Sequence, residues 1–381
     1  MDKFVHTDII CFSHLRWYFV YQRPQHLLSR FAKHHRVFFW EEPVHDEEQK
    51  LEVREVEKNL WVITPHIKLT DEDRKQGLQR EWVRELMNKY KINDYIFWYY
   101  SPLALSFSDD FKPIAIVYDC MDELSAFRFA PKELKTMEAR LIEKADIVFT
   151  GCKSLFEAKQ HLHPNIHCFP SSIDKKHFAT ARKTGEEPHD QANIPHPRIG
   201  FYGVIDERFN TDLLQQLATK YPQWHFVIIG PTAKIDPNNL PKGENLHYLG
   251  GKTYYELPGY LAGWDVAMMP FSLNESTQFI SPTKTPEFLA GGKPVVSTSI
   301  RDVVSPYGEQ HLVYIADTVK EFGEAIEKAL NDSENKEWLE NVDRFLENIS
   351  WDQTFEDMYQ LIHQISDRRE SNAEAGRQAY V

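Results

Sequence analysis

The segment SPTKTPEFLAGGKPVVST (281–298) combines hydroxyls, a lysine and a glutamate in a pattern suited to an anionic ligand. It predicts a loop, a helix, a Gly-Gly stop and a strand, so Ser281 and Thr283 lie beside the N–H groups of a helix N-terminus. Lys284 in the first turn opposes the helix dipole, which a bound phosphate would offset. Glu287 shares that face and can accept two hydrogen bonds from a vicinal diol such as that of a ribose. A capped helix with a surface Lys–Glu pair is the alternative.

A second candidate site follows the strand-like run RIGFYG, which ends at Gly203. A glycine lets a ligand approach the backbone closely, and the helix beyond it supplies N–H donors. Arg208 can bind a diphosphate through two parallel hydrogen bonds, or it can simply pair with Asp206 or Glu207. The glycine fingerprints G-x-G-x-x-G and G-x-x-x-x-G-K-[ST] are absent, which argues against dinucleotide dehydrogenases and Walker-type enzymes.

The first half of the chain offers two further groups. Asp119 and Asp122 follow the run IAIVYD, at the strand end where open α/β sheets place their chemistry, although turn formation explains them equally well. The aromatic-rich loop HLRWYFVYQRPQH carries Arg16, Gln22 and Arg23, which suit the hydroxyls of a sugar or a domain interface. We expect no metal site, because none of the 17 histidines belongs to an HxxEH motif. No G-x-S-x-G motif supports a serine hydrolase.

Composition restricts the class of protein. The 57 acidic residues exceed the 44 Lys and Arg in 381 residues, giving a net charge of −13 that argues against broad nucleic-acid binding. No apolar run approaches the ~20 residues of a membrane-spanning helix, and the N-terminus resembles a first strand rather than a signal peptide. Four separated cysteines form no CxxC pair. We therefore expect free thiols and a cytoplasmic location.

The elements that position these residues alternate between strands and helices. Short runs that are apolar on both faces, such as DIICFS and IFWYY, are typical of central parallel strands, and amphipathic stretches separate them. The polar, proline-containing stretch 181–197 is predicted to be a linker. The fold class is therefore α/β, with two doubly wound parallel-sheet domains facing across a cleft. We place them at 1–180 and 198–349, followed by a C-terminal helix and frayed tail at 350–381.

Several motifs resemble family 4 glycosyltransferases, which have the two-Rossmann architecture called GT-B. In the second half these are YLGGKTYYELPGYLAGWDVAMMPF and ISPTKTPEFLAGGKPVVST. The motif CFPSSIDKKHF resembles the crossing between domains, and ISWDQTF resembles the segment after which the chain packs back on the first domain. WYFVYQRPQHLLSRFA and DCMDELSAF are similar to an N-terminal variant in bacterial polysaccharide and teichuronic-acid-type enzymes. The resemblance covers most of residues 8–365.

The resemblance implies roles for individual residues. Glu287 matches the glutamate that binds the nucleotide ribose, and Arg208 with Lys284 takes the place of the basic pair on the donor diphosphate. Gly203 matches the glycine of the loop after the first strand of the donor domain. The implied site residues are catalytic Asp119, Asp122, Arg208 and Lys284; donor-binding Gly203, Arg208, Gly230, Ser281, Thr283, Lys284 and Glu287; and acceptor-side Arg16, Gln22 and Arg23.

Two positions depart from the family pattern. The first glutamate of the E-x7-E motif is replaced by Phe279, so Asn274, Glu275, Thr277 or Gln278 would substitute in contacts with the donor sugar. The catalytic-region histidine of the first domain has Asp119 and Asp122 as its nearest replacements.

The implied reaction moves a sugar from a nucleoside diphosphate sugar, with UDP expected, to the hydroxyl of a sugar or lipid-linked glycan, with retention and without a metal or other cofactor. The alternatives are a nucleotide-sugar-binding protein without turnover, a GT-B epimerase or phosphorylase, and a Rossmann oxidoreductase. Peripheral contact with the inner face of a membrane stays open, as does the oligomeric state.

Overall fold

The computed structural model describes residues 7–68, 70, 74–183, 185, 187–332 and 335–378. The strands of the first half are β1 (Asp8–Ser13), β2 (Val37–Glu41), β3 (Val44–His45), β4 (Lys50–Glu57), β5 (Leu60–Ile67), β6 (Tyr95–Tyr99), β7 (Ala115–Cys120), β8 (Ile147–Thr150) and β9 (Ile166–Cys168). Its helices are α1 (Arg23–Phe31), α2 (Lys75–Tyr90), α3 (Leu105–Ser108), α4 (Leu134–Lys144), α5 (Lys153–Lys159), α6 (Lys175–Phe178) and α7 (His189–Ala192).

The second half repeats the alternation. Its strands are β10 (Arg198–Tyr202), β11 (His225–Ile229), β12 (Leu246–Tyr248), β13 (Val266–Met269), β14 (Val295–Ser297) and β15 (Tyr314–Ile315). Its helices are α8 (Thr211–Lys220), α9 (Leu257–Ala262), α10 (Lys284–Ala290), α11 (Arg301–Val303), α12 (Val319–Asn331), α13 (Lys336–Phe345) and α14 (Trp351–Gln378).

These strands form two separate sheets. The first has the order β3-β5-β2-β1-β6-β7-β8-β9, all parallel, with β4 added antiparallel to β5. The second has the parallel order β12-β11-β10-β13-β14-β15. The strand order reverses beside β1 in the first sheet and beside β10 in the second, and such reversals open a crevice at the carboxyl ends of the strands. The predicted α/β fold with two doubly wound sheets is confirmed.

The central strands are buried on both faces, as their sequences predict. In β1, Ile10 and Phe12 join the hydrophobic core on one side of the sheet, whereas Ile9 and Cys11 join the core on the other side. Successive side chains of a strand point to opposite faces, so a strand covered by helices on both faces must be apolar throughout. The sequence analysis did not name β3 and β4, which lie at the sheet edge, and β4 is largely polar.

The stretch between the two sheets packs on the second domain. Gln191 of α7 is fully buried, where its amide donates to the Tyr260 carbonyl at 3.0 Å and accepts from Trp264 Nε1 at 2.9 Å. Arg198 at the start of β10 forms a 2.7 Å ion pair with Glu187. These contacts fix part of the predicted linker to the second domain.

The last helix returns to the first domain. Trp351 of α14 stacks on His26 of α1 with ring centroids 4.6 Å apart, and Phe355 packs edge-on against Phe31 at 4.9 Å. The helical backbone continues to Gln378, so it includes most of the stretch 350–381 that was predicted to be a helix and a frayed tail. None of the helices in the described ranges is long and apolar enough to cross a bilayer.

Candidate functional site

A cleft between the two domains gathers most of the predicted site residues. It lies at the carboxyl ends of β10, β11 and β13 and faces the β1–α1 loop and the residues that follow β7 and β8. The predicted residues that line it are Gln22, Arg23, Asp122, Gly203, Arg208, Gly230, Ser281, Thr283, Lys284 and Glu287. Residues far apart in the chain therefore converge at the crevice beside β10.

Glu287 lies in the first turn of α10 with only 7% of its surface exposed. Its Oε2 accepts a 2.8 Å hydrogen bond from the Tyr202 hydroxyl at the end of β10. Burial raises the pKa of Glu287 to about 7, against the lowering effects of Tyr202 and Lys284. The carboxyl group thus faces the cleft with one oxygen fixed by the protein and the other open to a ligand.

Lys284 lies across Gly203, which has no side chain to obstruct it. A Cβ at position 203 would lie 2.1 Å from Lys284 Cε, and the φ of +145° at Gly203 disfavours other residues. Gly230 has a φ of +142°, and a Cβ there would lie 1.8 Å from the Gly203 carbonyl oxygen. Burial, followed by the nearby Arg208, lowers the pKa of Lys284. Gly203 therefore makes room for the lysine at the base of the cleft, and Gly230 makes room for the backbone of Gly203.

Arg208 is held in place by groups from both domains. Its Nε and Nη2 donate to the Asp206 carboxylate at 2.6–3.1 Å, and its guanidinium lies 5.2 Å from the ring centre of Phe127 in the first domain. The ion pair between Arg208 and Asp206, which the sequence analysis gave as an alternative, is therefore present. Arg208 also lines the cleft, so the pair fixes the guanidinium there instead of removing it.

On the first domain, Asp122 follows β7 and faces the basic residues of the second domain. Its pKa is raised to about 6, mainly by burial and also by Asp206, against the lowering effect of the positive charges of Arg208 and Arg23. A carboxyl group with this pKa changes its protonation state near neutral pH, which suits it to proton transfer or hydrogen bonding in the cleft.

Asp119 and Arg23 form a buried ion pair. Arg23 Nε and Nη2 donate to both oxygens of Asp119 at 2.8–3.1 Å, and Arg23 Nη1 donates to the Phe169 carbonyl at 2.8 Å. Asp119 is fully buried and is not among the residues that line the cleft, whereas Arg23 is. The geometry gives Asp119 the position of a residue that orients Arg23.

Arg16 lies away from the cleft. Its guanidinium forms a 3.0 Å ion pair with Glu41 at the end of β2 and donates to the carbonyls of Glu42 and Pro43. The structure therefore separates Arg16 from Gln22 and Arg23, with which the sequence analysis grouped it.

The segment 274–279 also lies outside the lining of the cleft. Asn274 caps the short 3-10 helix Glu275–Thr277, and the Thr277 hydroxyl donates to the Ser272 carbonyl at 2.6 Å. Phe279 packs against the core of the first domain. Two of the four proposed substitutes for the missing glutamate, Asn274 and Thr277, therefore bond to nearby backbone groups.

Lys252 and Tyr254 also line the cleft and were not identified from the sequence. Lys252 forms a 2.6 Å ion pair with Asp190, and Tyr254 is stacked between Tyr21 of the first domain and His177, at 4.5 and 4.4 Å. Both residues belong to the stretch that resembles the glycosyltransferase family. That resemblance could have pointed to them, but it implied no role for either residue. Among the described residues no cluster of three or more His, Cys, Asp or Glu could hold a metal ion.

Comparisons with known proteins agree with this architecture. Residues 196–332 match the family model described as Glycosyl transferases group 1. The Bacillus subtilis (strain 168) protein named "Putative teichuronic acid biosynthesis glycosyltransferase TuaH" is 26% identical over 269 residues, which cover 65% of this chain and 67% of that protein.

Solved structures share the fold over nearly the whole chain. Sucrose-phosphate synthase from Thermosynechococcus elongatus has a TM-score of 0.67 at 15% identity, covering 94% of this chain and 99% of that one. An alpha,alpha-trehalose-phosphate synthase (UDP-forming) from Burkholderia xenovorans has a TM-score of 0.66 at 11% identity, covering 93% and 99%.

The two facing sheets and the cleft between them are those of the GT-B fold. The chain is a glycosyltransferase of this fold, and residues 196–332 match the Glycosyl transferases group 1 family model. The resemblance found in the sequence is confirmed at this level.

Proposed function

We propose that this enzyme transfers a glycosyl group from a nucleoside diphosphate sugar, with UDP as the nucleotide, to the hydroxyl of a glycan acceptor. The observation that carries the proposal is the convergence of Glu287, Lys284 and Arg208 on one interdomain cleft. These residues supply, within a single crevice, acceptors for a ribose diol and cations for a diphosphate.

The leaving diphosphate is stabilised by groups that are already in place. Lys284 lies at the N-terminus of α10, where backbone N–H groups and the hydroxyls of Ser281 and Thr283 add further donors. The ion pair with Asp206 holds Arg208 rigid, so little reorganisation is needed as negative charge develops on the phosphate. This arrangement supports transfer without a metal ion.

The acceptor approaches from the first domain. Asp122, Gln22 and Arg23 line that wall, so an acceptor hydroxyl meets a carboxyl group and fixed hydrogen-bond donors there. We propose that Asp122 contacts the acceptor and that Asp119 acts through Arg23. Retention of the anomeric configuration is part of the proposal and comes from the family resemblance alone.

Domain movement is part of the proposed cycle. The cleft encloses about 190 Å3, below the ~300 Å3 at which ligand pockets usually begin. The Ser171 hydroxyl donates to the Ser281 carbonyl across the interface at 2.5 Å. The domains would therefore separate to admit the donor and close again to exclude water from the reaction.

Names of relatives support the finer assignment. The trehalose-phosphate synthase is described as UDP-forming, and the Bacillus relative as a teichuronic acid biosynthesis glycosyltransferase. We therefore propose a UDP-sugar donor, a role in surface polysaccharide or glycoconjugate synthesis, and a cytoplasmic location with peripheral membrane contact where the acceptor is lipid-linked.

The first test is calorimetric binding of UDP, GDP, ADP and NAD to the wild type and to Glu287→Ala. We expect UDP to bind in the micromolar range and Glu287→Ala to weaken it by about 1–3 kcal/mol, because two hydrogen bonds to the ribose are lost. Glu327→Ala is the matched control, since Glu327 is exposed on α12 of the same domain. NAD binding alone, or an unchanged affinity in Glu287→Ala, would contradict the proposal.

A further inference from the structure

A second cavity of about 810 Å3 opens at the carboxyl edge of the first sheet. It shares no lining residue with the interdomain cleft. Ser13 ends β1, Glu41 ends β2 and Ser101 follows β6, so the cavity lies where the strand order reverses in this sheet. That is the position at which open α/β sheets bind ligands, and the volume lies within the ~300–1,000 Å3 of ligand pockets.

Several polar groups in this cavity are available to a ligand. Among the described residues, none forms a hydrogen bond with the Ser101 hydroxyl or with the carboxylates of Glu42 and Glu133. The Gln79 carboxamide uses its oxygen to accept from Trp40 Nε1 at 3.3 Å, which leaves its two N–H donors for a ligand. The walls thus offer acceptors and donors together, as a hydroxyl group requires.

The cations of the cavity are already engaged. Arg140 donates to Asp109 at 2.8 Å, and Lys75 lies near enough to Glu42 to oppose the effect of burial, which raises the pKa of that carboxyl. An anionic ligand would therefore face Glu42 and Glu133 without an uncommitted counter-charge. The floor includes the apolar side chains of Phe12 and Phe107, which favour ligands that also present C–H groups.

We propose that this cavity binds an uncharged, hydroxyl-rich stretch of the acceptor glycan, at a distance from the hydroxyl that receives the sugar. The inference rests on the proposed glycosyltransfer. Neutral sugars combine hydroxyls for the free carboxylates, amide and serine with C–H faces for the apolar floor. Phosphorylated or uronic acid segments lack a free cation here.

The β1–α1 loop connects the cavity to the reaction centre. Ser13 at one end of this loop lines the cavity, and residues 20–23 at the other end line the cleft. Glu41 holds the loop by accepting from the Trp17 backbone N–H at 2.8 Å and from Arg16 at 3.0 Å. An acceptor chain can therefore follow one sheet edge from the cavity to the cleft.

The test uses neutral trisaccharides as probes, namely maltotriose, cellotriose and triacetylchitotriose, with trigalacturonate as the acidic comparison. Binding is measured by saturation-transfer NMR and titration, and UDP affinity is measured on the same samples. We expect at least one neutral trisaccharide to bind with a Kd on the order of 1 mM. Ser101→Ala/Glu133→Gln should weaken it about tenfold through the loss of hydrogen bonds. The double variant should bind UDP with the same affinity as the wild type.

Glu143→Gln is the matched control, because Glu143 is exposed on α4, the helix that Glu133 directly precedes, and does not line the cavity. Preference for trigalacturonate, equal binding by the double variant, or no binding of any neutral probe at on the order of 10 mM would overturn the inference. A different result would separate the two proposals. If the protein binds a trisaccharide, loses that binding in the double variant and binds no nucleotide, the proposed nucleotide donor is contradicted and the sugar cavity is still supported.

Discussion

Removing the carboxylate of Asp119 should destabilise the first domain strongly. Asp119 and Arg23 have side chains that are 0% and 5% exposed, and the pair is joined by three hydrogen bonds of 2.8–3.1 Å. Asp119→Ala would leave a guanidinium buried without its counter-charge. We predict a decrease of about 3–5 kcal/mol in the free energy of unfolding, the usual cost of breaking a buried pair.

A double-mutant cycle measures the interaction energy between Arg23 and Asp119 separately from the contribution that each residue makes alone. Arg23→Met should also be destabilising, but Arg23→Met/Asp119→Leu should cost less than the sum of Arg23→Met and Asp119→Leu, by about 1–3 kcal/mol. Urea denaturation followed by far-UV circular dichroism gives each free energy. Arg54→Met is the control, since Arg54 and Glu52 form an exposed pair on β4 and the change should cost less than about 1 kcal/mol.

Two results would refute this reasoning. If Asp119→Ala cost no more than Arg54→Met, or if the cycle were additive, Asp119 would not be the counter-charge that holds Arg23. A stable Asp119→Asn protein that binds UDP and loses transfer would instead favour the direct catalytic role predicted from the sequence.

Other variants test the glycines and the ionisable groups. Gly203→Ala should lower the free energy of unfolding by about 1–3 kcal/mol and weaken UDP binding, because its φ is +145° and the new Cβ meets Lys284; a calorimetric affinity equal to wild type would contradict this. Gly77→Ala in α2 should raise the free energy of unfolding by about 0.5–1 kcal/mol in urea titration, because the new Cβ would have no neighbour within 4 Å. A decrease would be inconsistent with an open site. The affinity of the wild type for UDP, divided by that of Glu287→Gln, should decrease as the pH is lowered below 7. Burial raises the pKa of Glu287 to about 7, and a protonated carboxyl group has fewer hydrogen-bond acceptors. A ratio that does not change with pH would argue against ribose binding by Glu287. Burial raises the pKa of Asp122 from 3.8 to about 6, so its contribution to stability is present at low pH and is lost as pH rises through 6; Asp122→Asn should flatten that dependence in thermal melts.

The core of each sheet could be predicted because its signal is local. Runs such as VFFW in β2 and FVII in β11 are apolar at every position, and that pattern requires a strand covered on both faces. The edge strand β4 was missed because its mixed, largely polar sequence KLEVREVE is not buried on both faces. Its pairing with β5 supplies the backbone hydrogen bonds that define it.

The candidate site was predicted only in part. The hydroxyls, Lys284 and Glu287 of the α10 region lie close together in the sequence, so their shared face followed from helix geometry. Lys252 and Tyr254 enter the cleft from a segment whose local pattern carries no chemistry. Arg16 was grouped with Gln22 and Arg23 by proximity in sequence, but its bond to Glu41 turns it toward another part of the sheet edge.

The sequence by itself determined the two α/β domains, the hydroxyl-rich start of α10 and the resemblance to glycosyltransferases, because periodicity and motif spacing are properties of neighbouring residues. Only the tertiary structure decided that Asp119 binds Arg23, 96 positions away, that Lys284 crosses Gly203, and that a separate cavity opens beside β1. Such pairings depend on how parallel strands are ordered in each sheet and how the domains face each other. Hydrogen bonds and burial between distant segments, which local sequence does not encode, fix these contacts.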